Sequence, residues 1–291
     1  MKIAGFTFIR NAIKNDYSIV EAITSILPIC DEFVVAVGQS EDNTLGLIQG
    51  IKSDKIRIIE TIWDDTKREG GHVFALETDK AYQAISPDTD WAFYIQGDEC
   101  VHEDDLNGIL EDLKEHQENP EVEGLLFKYR HFYGSFDYIA TSRKWYRKEI
   151  RLVRFNPLVH SYKDAQGFRK SGKKLKVKEI SAHIFHYGWV KPPTGLNQKV
   201  RNFTQFYHDD AWLAKNVPAD YEFDFGNAER LIRFTGTHPN VSLPRIKAQN
   251  WDFDFDPAVL RSKMSLRRKV LQKITDWTGW RIGEYKNYQR I

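Results

Sequence analysis

The sequence has 291 residues, room at ~100–200 residues per domain for two domains or for one with a substantial extension. Hydrophobic residues make up 41% and charged residues 29%, the balance of a soluble folded protein, which excludes a disordered or fibrous chain. Lys and Arg total 42 against 41 Asp and Glu, a net charge of +1 that argues against non-specific duplex binding, so nucleic acid is not an expected partner.

Ile3–Ile9 reads as a buried strand, too short for a signal h-region and followed by Arg10 and Asn11 rather than a small-residue cleavage site. Ile19, Val20, Ala22, Ile23, Ile26 and Leu27 recur at helical spacing until Pro28 stops the helix. Further strands are predicted at Phe33–Val37, Ile56–Thr61 and Trp91–Gln96. Helices are predicted around Leu45, Leu47 and Ile48, from Phe74 through Ile85, and from Asp104 to about His116. This alternation predicts an α/β fold with a mixed, mostly parallel sheet flanked by helices. Each strand runs into polar residues: Arg10-Asn11, the stretch from Gly38 to Asp42, Asp64-Asp65, and Gln96-Gly97-Asp98-Glu99. Open α/β sheets bind ligands at that edge.

After Pro120, Gly124–Tyr129 and Arg151–Phe155 are strand-like, and the basic, aromatic stretch from Ser142 to Lys178 is either a solvated surface or a patch facing a polyanion such as a diphosphate. Lys191-Pro192-Pro193 divides a domain over 1–190 from a helical and loop extension over 191–291. In the extension a helix is expected over Leu196–Ala214, packed loop over 218–257, a basic amphipathic helix over 259–277, and a loosely packed tail after Trp280. The amphipathic helix has Leu260, Met264, Leu271 and Ile274 for its apolar face; it either packs on the first domain or touches an anionic membrane surface. No run reaches the ~18 apolar residues of a spanning helix. Cys30 and Cys100 have neither metal-ligand spacing nor partners for a disulfide framework, so a reducing cytoplasm is the expected location, with the inner face of the membrane a possible site of contact.

Asp98-Glu99 is the sharpest local signal. A carboxylate on a rigid strand end suits a hard cation that takes its other ligands from phosphate and water, and it also suits a helix cap. Together with it, Asn11, Ser25-Ile26, the stretch from Asp31 to Val35, and the Ser40-Glu41-Asp42-Asn43-Thr44 loop give an order and spacing that resembles family 2 glycosyltransferases over residues 1–190. Tyr94-Ile95-Gln96-Gly97-Asp98-Glu99 falls where that family carries its Asp-x-Asp metal motif.

The resemblance implies a GT-A fold, a nucleotide-diphosphate sugar donor, a divalent cation (Mg²⁺ or Mn²⁺), and inverting transfer to a hydroxyl on a glycan or lipid-linked acceptor. It places donor contacts at Arg10, Asn11, Asp42, Asp64, Gln96 and Asp98, and metal ligands at Asp98 and His186. It places the catalytic base at Asp164, with Glu99 as the alternative; in residue terms Asp164 is equally a turn former before Gly167. His183, three residues before His186, belongs to another face. Trp145, Tyr146 and Trp189 are candidate stacking platforms for the acceptor, and Arg143, Arg147, Arg151 and Arg169 candidate partners for an anion. Two departures stand out: Val37-Gly38-Gln39 replaces an acidic pair, and Gln96 replaces the first metal-motif Asp. They support an alternative, a non-catalytic nucleotide-sugar or glycan-binding protein that kept the GT-A fold.

Overall fold

The computed structural model describes residues 1–67, 69–217, 223, 225–253 and 264–291. Strand β1 (Ile3–Ile9) is apolar on both faces, the pattern of a central parallel strand covered by helices. It lies parallel between β2 (Glu32–Gly38) and β4 (Trp91–Tyr94), and β3 (Ile56–Thr61) adds a parallel edge beyond β2. Helix α1 (Ile19–Ile26) buries Ile19, Ala22, Ile23 and Ile26 on one face of the sheet, and Pro28 closes it into a single 3₁₀ turn. Helix α2 (Thr44–Gln49) precedes β3, and α3 (His72–Gln83) covers the opposite face through Val73, Phe74, Ala81 and Tyr82. The α/β alternation of the first hundred residues is therefore observed as predicted.

Beyond β4 the sheet becomes mixed. Strand β5 (Glu99–Val101) and α4 (Leu106–His116) lead to β6 (Gly124–Tyr133), β7 (Ser135–Ala140) and β8 (Lys148–Arg154), with β8 antiparallel to both β4 and β6. A small separate sheet holds β9 (Val159–Tyr162), β10 (Gly167–Lys170) and β11 (Lys173–Lys174). The long strand β12 (Lys176–Trp189) runs parallel to β6 and antiparallel to β5, which sets His186 opposite Glu99. His183 and His186 fall on opposite faces of it, as strand alternation requires.

The extension contains α5 (Pro193–Thr204), α6 (Asp210–Asn216), β13 (Leu231–Arg233), α7 (Leu243–Lys247), α8 (Leu266–Thr278) and β14 (Gln289–Arg290). The helix expected over 196–214 is two helices. Strand β13 pairs with β7 and β14 with β12, so the extension adds two strands to the main sheet of eleven. The tail after Trp280 is packed rather than loose: Arg281 and Asn287 are buried, and the Arg169 guanidinium donates to the Asn287 backbone oxygen at 2.8 Å. Residues 259–263 of the expected amphipathic helix lie outside the described residues. No helix among the described residues is long and apolar enough to cross a membrane, and both cysteines are buried thiols.

Candidate functional site

Asp98 sits in the turn between β4 and β5, and its backbone oxygen accepts from the Tyr187 N–H at 2.8 Å, which staples the turn to β12. The side chains of Asp98 and Glu99 part at this point. Glu99 is fully buried and meets Arg151 in a two-pronged ion pair at 2.8 and 2.7 Å, while the Tyr129 hydroxyl donates to it at 2.6 Å and the Gln96 N–H at 3.1 Å. Both its oxygens are engaged inside the sheet. Breaking such a pair costs ~3–5 kcal/mol, so Glu99 anchors the turn that carries Asp98.

Asp98 turns to the cleft. Its Oδ2 is 3.2 Å from Lys199 Nζ and 3.7 Å from His186 Nε2. Burial pushes the carboxyl up, but the charge and hydrogen bond of the Lys199 ammonium, with Lys191 farther off, outweigh it and hold the carboxyl at about 2. Lys199 also donates to the Gly188 backbone oxygen at 2.6 Å and is 8% exposed. It arrives from α5, and nothing in the local sequence singles it out.

The protonation of His186 follows from its neighbours. Burial lowers the pKa of both His131 and His186 and is opposed only in part by the Asp98 carboxylate, so both rings are neutral near pH 7. His131 Nε2 is 2.7 Å from the Tyr146 backbone oxygen and must donate to it. Its Nδ1 is therefore an acceptor, and it receives the Nδ1–H of His186 at 3.1 Å. The Nε2 of His186 is left with a bare lone pair facing Asp98. This is the orientation that a metal-ligating imidazole takes when its other nitrogen is held by a hydrogen bond.

Asp98 Oδ2 and His186 Nε2 converge over Gly188, where a Cβ would lie 2.4 Å from the oxygen and 2.9 Å from the nitrogen. One carboxylate and one imidazole fit a divalent cation that draws its remaining ligands from phosphate and water. Among the described residues no group of three or more His, Cys, Asp or Glu converges in this way.

Asp164 lines the same cleft of about 370 Å³, with Gln96, Asp98, His186, Lys199 and Trp145. It stands at the tip of the β9–β10 hairpin between Lys163 (φ 58°) and Ala165 (φ 62°), both in the left-handed region. Non-glycine residues held there cost of order 1–3 kcal/mol each, a strain the surroundings must enforce. The enforcing contacts are present: Asp164 Oδ2 accepts from the Tyr207 hydroxyl at 3.0 Å, and the Gln96 amide donates to the Ala165 backbone oxygen at 3.3 Å. Gln96 thus ties the hairpin to the β4 end.

An adjoining cleft of about 390 Å³ shares Ile9, Tyr17 and Phe74 with the first and contains Arg10, Asn11, Trp63 and Asp65. The Arg10 guanidinium lies over the Trp63 ring at 5.3 Å and pairs with Asp65 at 2.9 Å. Asp64 lines neither cleft; it caps its own turn by accepting from Thr66 N–H at 3.0 Å, and it is Asp65 that faces Arg10. Asp42 lines neither cleft. The Ser40, Asp42 and Thr44 side chains accept from the backbone N–H groups of Asn11, Lys14 and Ala12 at 2.9, 2.7 and 2.7 Å, so the spaced motif braces the loop after β1. Trp145, Tyr146 and Trp189 all line the Asp98 cleft, whereas Arg143, Arg147, Arg151 and Arg169 do not. Those four arginines bind Thr275, Glu284, Glu99 and Asn287, and the cations near the two clefts are Lys199, Arg10 and Lys14.

No family model matches the chain, and no curated protein matches it. Solved structures do. The chain is similar to TarS from S. aureus in complex with UDP, with 12% identity, 76% of this chain and 70% of that one covered, and a TM-score of 0.39. It is similar to 4-diphosphocytidyl-2C-methyl-D-erythritol synthase from Anaerococcus prevotii, with 12% identity, coverages of 66% and 90%, and a TM-score of 0.39. It is also similar to glucosyl-3-phosphoglycerate synthase from Mycobacterium tuberculosis in complex with Mn²⁺, UDP-glucose and phosphoglyceric acid, with 15% identity, 44% of each chain covered, and a TM-score of 0.30.

Proposed function

We propose that the protein is a GT-A glycosyltransferase that moves a sugar from a nucleotide-diphosphate donor to a hydroxyl of a glycan or lipid-linked acceptor, with inversion. The observation that supports this reading is the meeting of two chemically distinct acid sites in one cleft: Asp98 with its cationic and imidazole neighbours, and Asp164 on a separate strained hairpin. The nucleoside lies in the adjoining cleft, where Trp63 and Arg10 offer a flat face and a charge and Asn11 a shaped backbone. A divalent cation, Mg²⁺ or Mn²⁺, held by Asp98 and His186 supplies positive charge for the departing diphosphate. Lys199, which pairs with Asp98 in the absence of the cation, would then turn its positive charge to the same diphosphate.

Asp164 is the base. Its Oδ2 is held by Tyr207, which leaves Oδ1 to take the acceptor hydroxyl proton. As that proton moves, the acceptor oxygen forms the new bond to the anomeric carbon, the carbon–oxygen bond to the diphosphate breaks on the opposite side, and the electron pair leaves with the diphosphate. Glu99 is unsuited to this task because Arg151 and Tyr129 occupy its oxygens. The acceptor approaches along a further cleft of about 470 Å³ that shares Tyr146 and Gln166 with the Asp98 cleft and displays Trp280 and Tyr285. The binding-only reading also has an observation in its favour, since Lys199 is paired with the carboxylate that a catalytic cation would need.

The test is a donor screen: nucleoside diphosphates and nucleotide sugars, each with and without Mn²⁺, read by thermal shift and then by donor hydrolysis. A ligand at a hundredfold excess over its dissociation constant stabilises the native state by ~2.7 kcal/mol, an easily measured shift. Stabilisation without turnover supports the binding-only reading, and no stabilisation by any nucleotide diphosphate removes both.

A further inference from the structure

Helix α8 is apolar on two faces. An amphipathic helix on a domain surface normally lays its apolar stripe on the core. Here Leu271 and Ile274 turn inward, half-buried beside the buried Gln272 and Thr275, while Leu266, Val270 and Trp277 stay outside, 79%, 50% and 90% exposed. The inward face is held by polar partners: the Arg143 guanidinium donates to the Thr275 hydroxyl at 2.8 Å, and Arg268 reaches the buried Glu229. At about 100° per residue, Leu266, Val270 and Trp277 fall within about 40° of one another, a single apolar ridge on the outer side. Lys269 and Lys273 border it on one side and Arg267 on the other, and none of these three forms an ion pair among the described residues. After the helix, Trp280 and Tyr285 are also exposed, at 65% and 63%.

We infer that this face docks on an anionic lipid bilayer surface. The composition of the face selects that occupant. An apolar ridge ending in Trp, bordered by unpaired cations, matches acyl chains below a negatively charged headgroup layer, and Trp and Tyr favour that interface because each carries an apolar ring with one polar group. The location agrees. Trp280 and Tyr285 also line the cleft that adjoins the Asp98 cleft through Tyr146 and Gln166, so a docked protein would present that cleft beside the lipid surface. Only this last point rests on the proposed transferase reading, where it makes the acceptor lipid-linked; the docking surface stands on α8 itself.

The experiment is sedimentation of the full chain with vesicles of phosphatidylcholine alone or of phosphatidylcholine with phosphatidylglycerol, at low and high salt. Binding is expected to the mixed vesicles at low salt and to fall at high salt. The triple variant Leu266→Ser/Val270→Ser/Trp277→Ser and the triple variant Arg267→Glu/Lys269→Glu/Lys273→Glu are each expected to lose at least ~10-fold in partitioning. Their melting temperatures and nucleotide thermal shifts are expected to match the parent, because the substituted side chains are solvent-facing. Absence of binding to the mixed vesicles at low salt overturns the inference, as does unchanged binding by both variants. A protein that is dimeric without lipid and becomes monomeric in the apolar triple variant also overturns it, and assigns the ridge to a second copy of the chain. Failure of the transferase reading shows separately, as loss of every nucleotide response with vesicle binding intact.

Discussion

Lys199 Nζ lies 3.2 Å from Asp98 Oδ2 and 2.6 Å from the Gly188 backbone oxygen, so an ammonium from the extension occupies the carboxylate that the β4–β5 turn presents to the cleft. Two positive charges cannot share that oxygen at full strength. A divalent cation held by Asp98 and His186 would compete with the ammonium and leave Lys199 free to face the phosphates. Lys199→Met keeps the apolar stem and removes the competitor. Mn²⁺ titrated alone is therefore expected to bind the variant about tenfold more tightly, a gain of ~1.4 kcal/mol. Calorimetry with Mn²⁺ in the absence of nucleotide reads this directly, and equal affinity would mean that ammonium and metal occupy different room.

The base assignment separates from the metal assignment by what each substitution leaves intact. Asp164→Asn preserves size and the acceptor for Tyr207 but removes the proton-accepting charge, so turnover is expected to fall by ~10²–10⁴ with donor affinity nearly unchanged. Asp98→Ala is expected to lose cation and donor together, and His186→Ala to weaken the cation less, since a neutral ligand carries no charge. Glu99→Gln is expected to lower the melting temperature first, because it leaves the buried Arg151 without its counter-charge. Normal turnover in Asp164→Asn would move the base elsewhere.

What the sequence made legible, and what it did not, has physical reasons. The β1 and β3 bounds could be read because apolar runs finish in polar residues there, and Asp98 stood out for the same reason, although β4 stops at Tyr94, two residues before the predicted end at Gln96. That Asp98 faces the cleft while Glu99 faces Arg151 depends on the pairing of β5 with β12, whose partners are some eighty residues apart in the chain. Asp64 and Asp65 are adjacent in one tight turn, and only the folded turn decides which reaches Arg10. Lys199 resembles any solvated lysine until α5 is laid against the Gly188 backbone. Helix α8 turns Leu271 and Ile274 inward in keeping with its apolar pattern, but Arg143 and Glu229, the polar partners on that inner face, are distant in sequence and could not be read from it.

Gly188 offers a test of the site that adds nothing but a methyl group. A Cβ there would lie 2.4 Å from Asp98 Oδ2, 2.8 Å from Lys199 Nζ and 2.9 Å from His186 Nε2. The lysine tip can swing away, but the turn that carries Asp98 is fixed by the Tyr187 N–H at its backbone oxygen, and the imidazole is held from behind by His131. Gly188→Ala is therefore expected to abolish Mn²⁺ binding while its circular dichroism spectrum stays that of the parent. Retained Mn²⁺ affinity would show that the cation does not use the space between Asp98 and His186.

Two carboxyls make stability depend on pH in opposite directions. Glu149 is 4% exposed, its Oε2 has no hydrogen-bond partner, and burial, only partly offset by Arg151, pushes it up to about 7. An unfolded Glu titrates near 4.3, so between about pH 4.3 and 7 the unfolded chain has released a proton that the folded protein still holds. Stability falls as pH rises through that window and levels off above it. Asp98 works the other way: held at about 2 in the fold against about 3.9 unfolded, it contributes stability above the unfolded value that is lost as pH falls toward 2. Glu149→Gln removes the first effect alone. The variant is expected to match the parent near pH 4 and to exceed it at pH 8 by up to ~4 kcal/mol, at ~1.36 kcal/mol for each pH unit between the two values. Urea unfolding of both proteins at the two pH values isolates the difference, since all other titrating groups are common to them. A variant no more stable than the parent at pH 8 would mean that the ionised Glu149 finds a partner in the fold, with Asn287 and Arg169 the groups within reach.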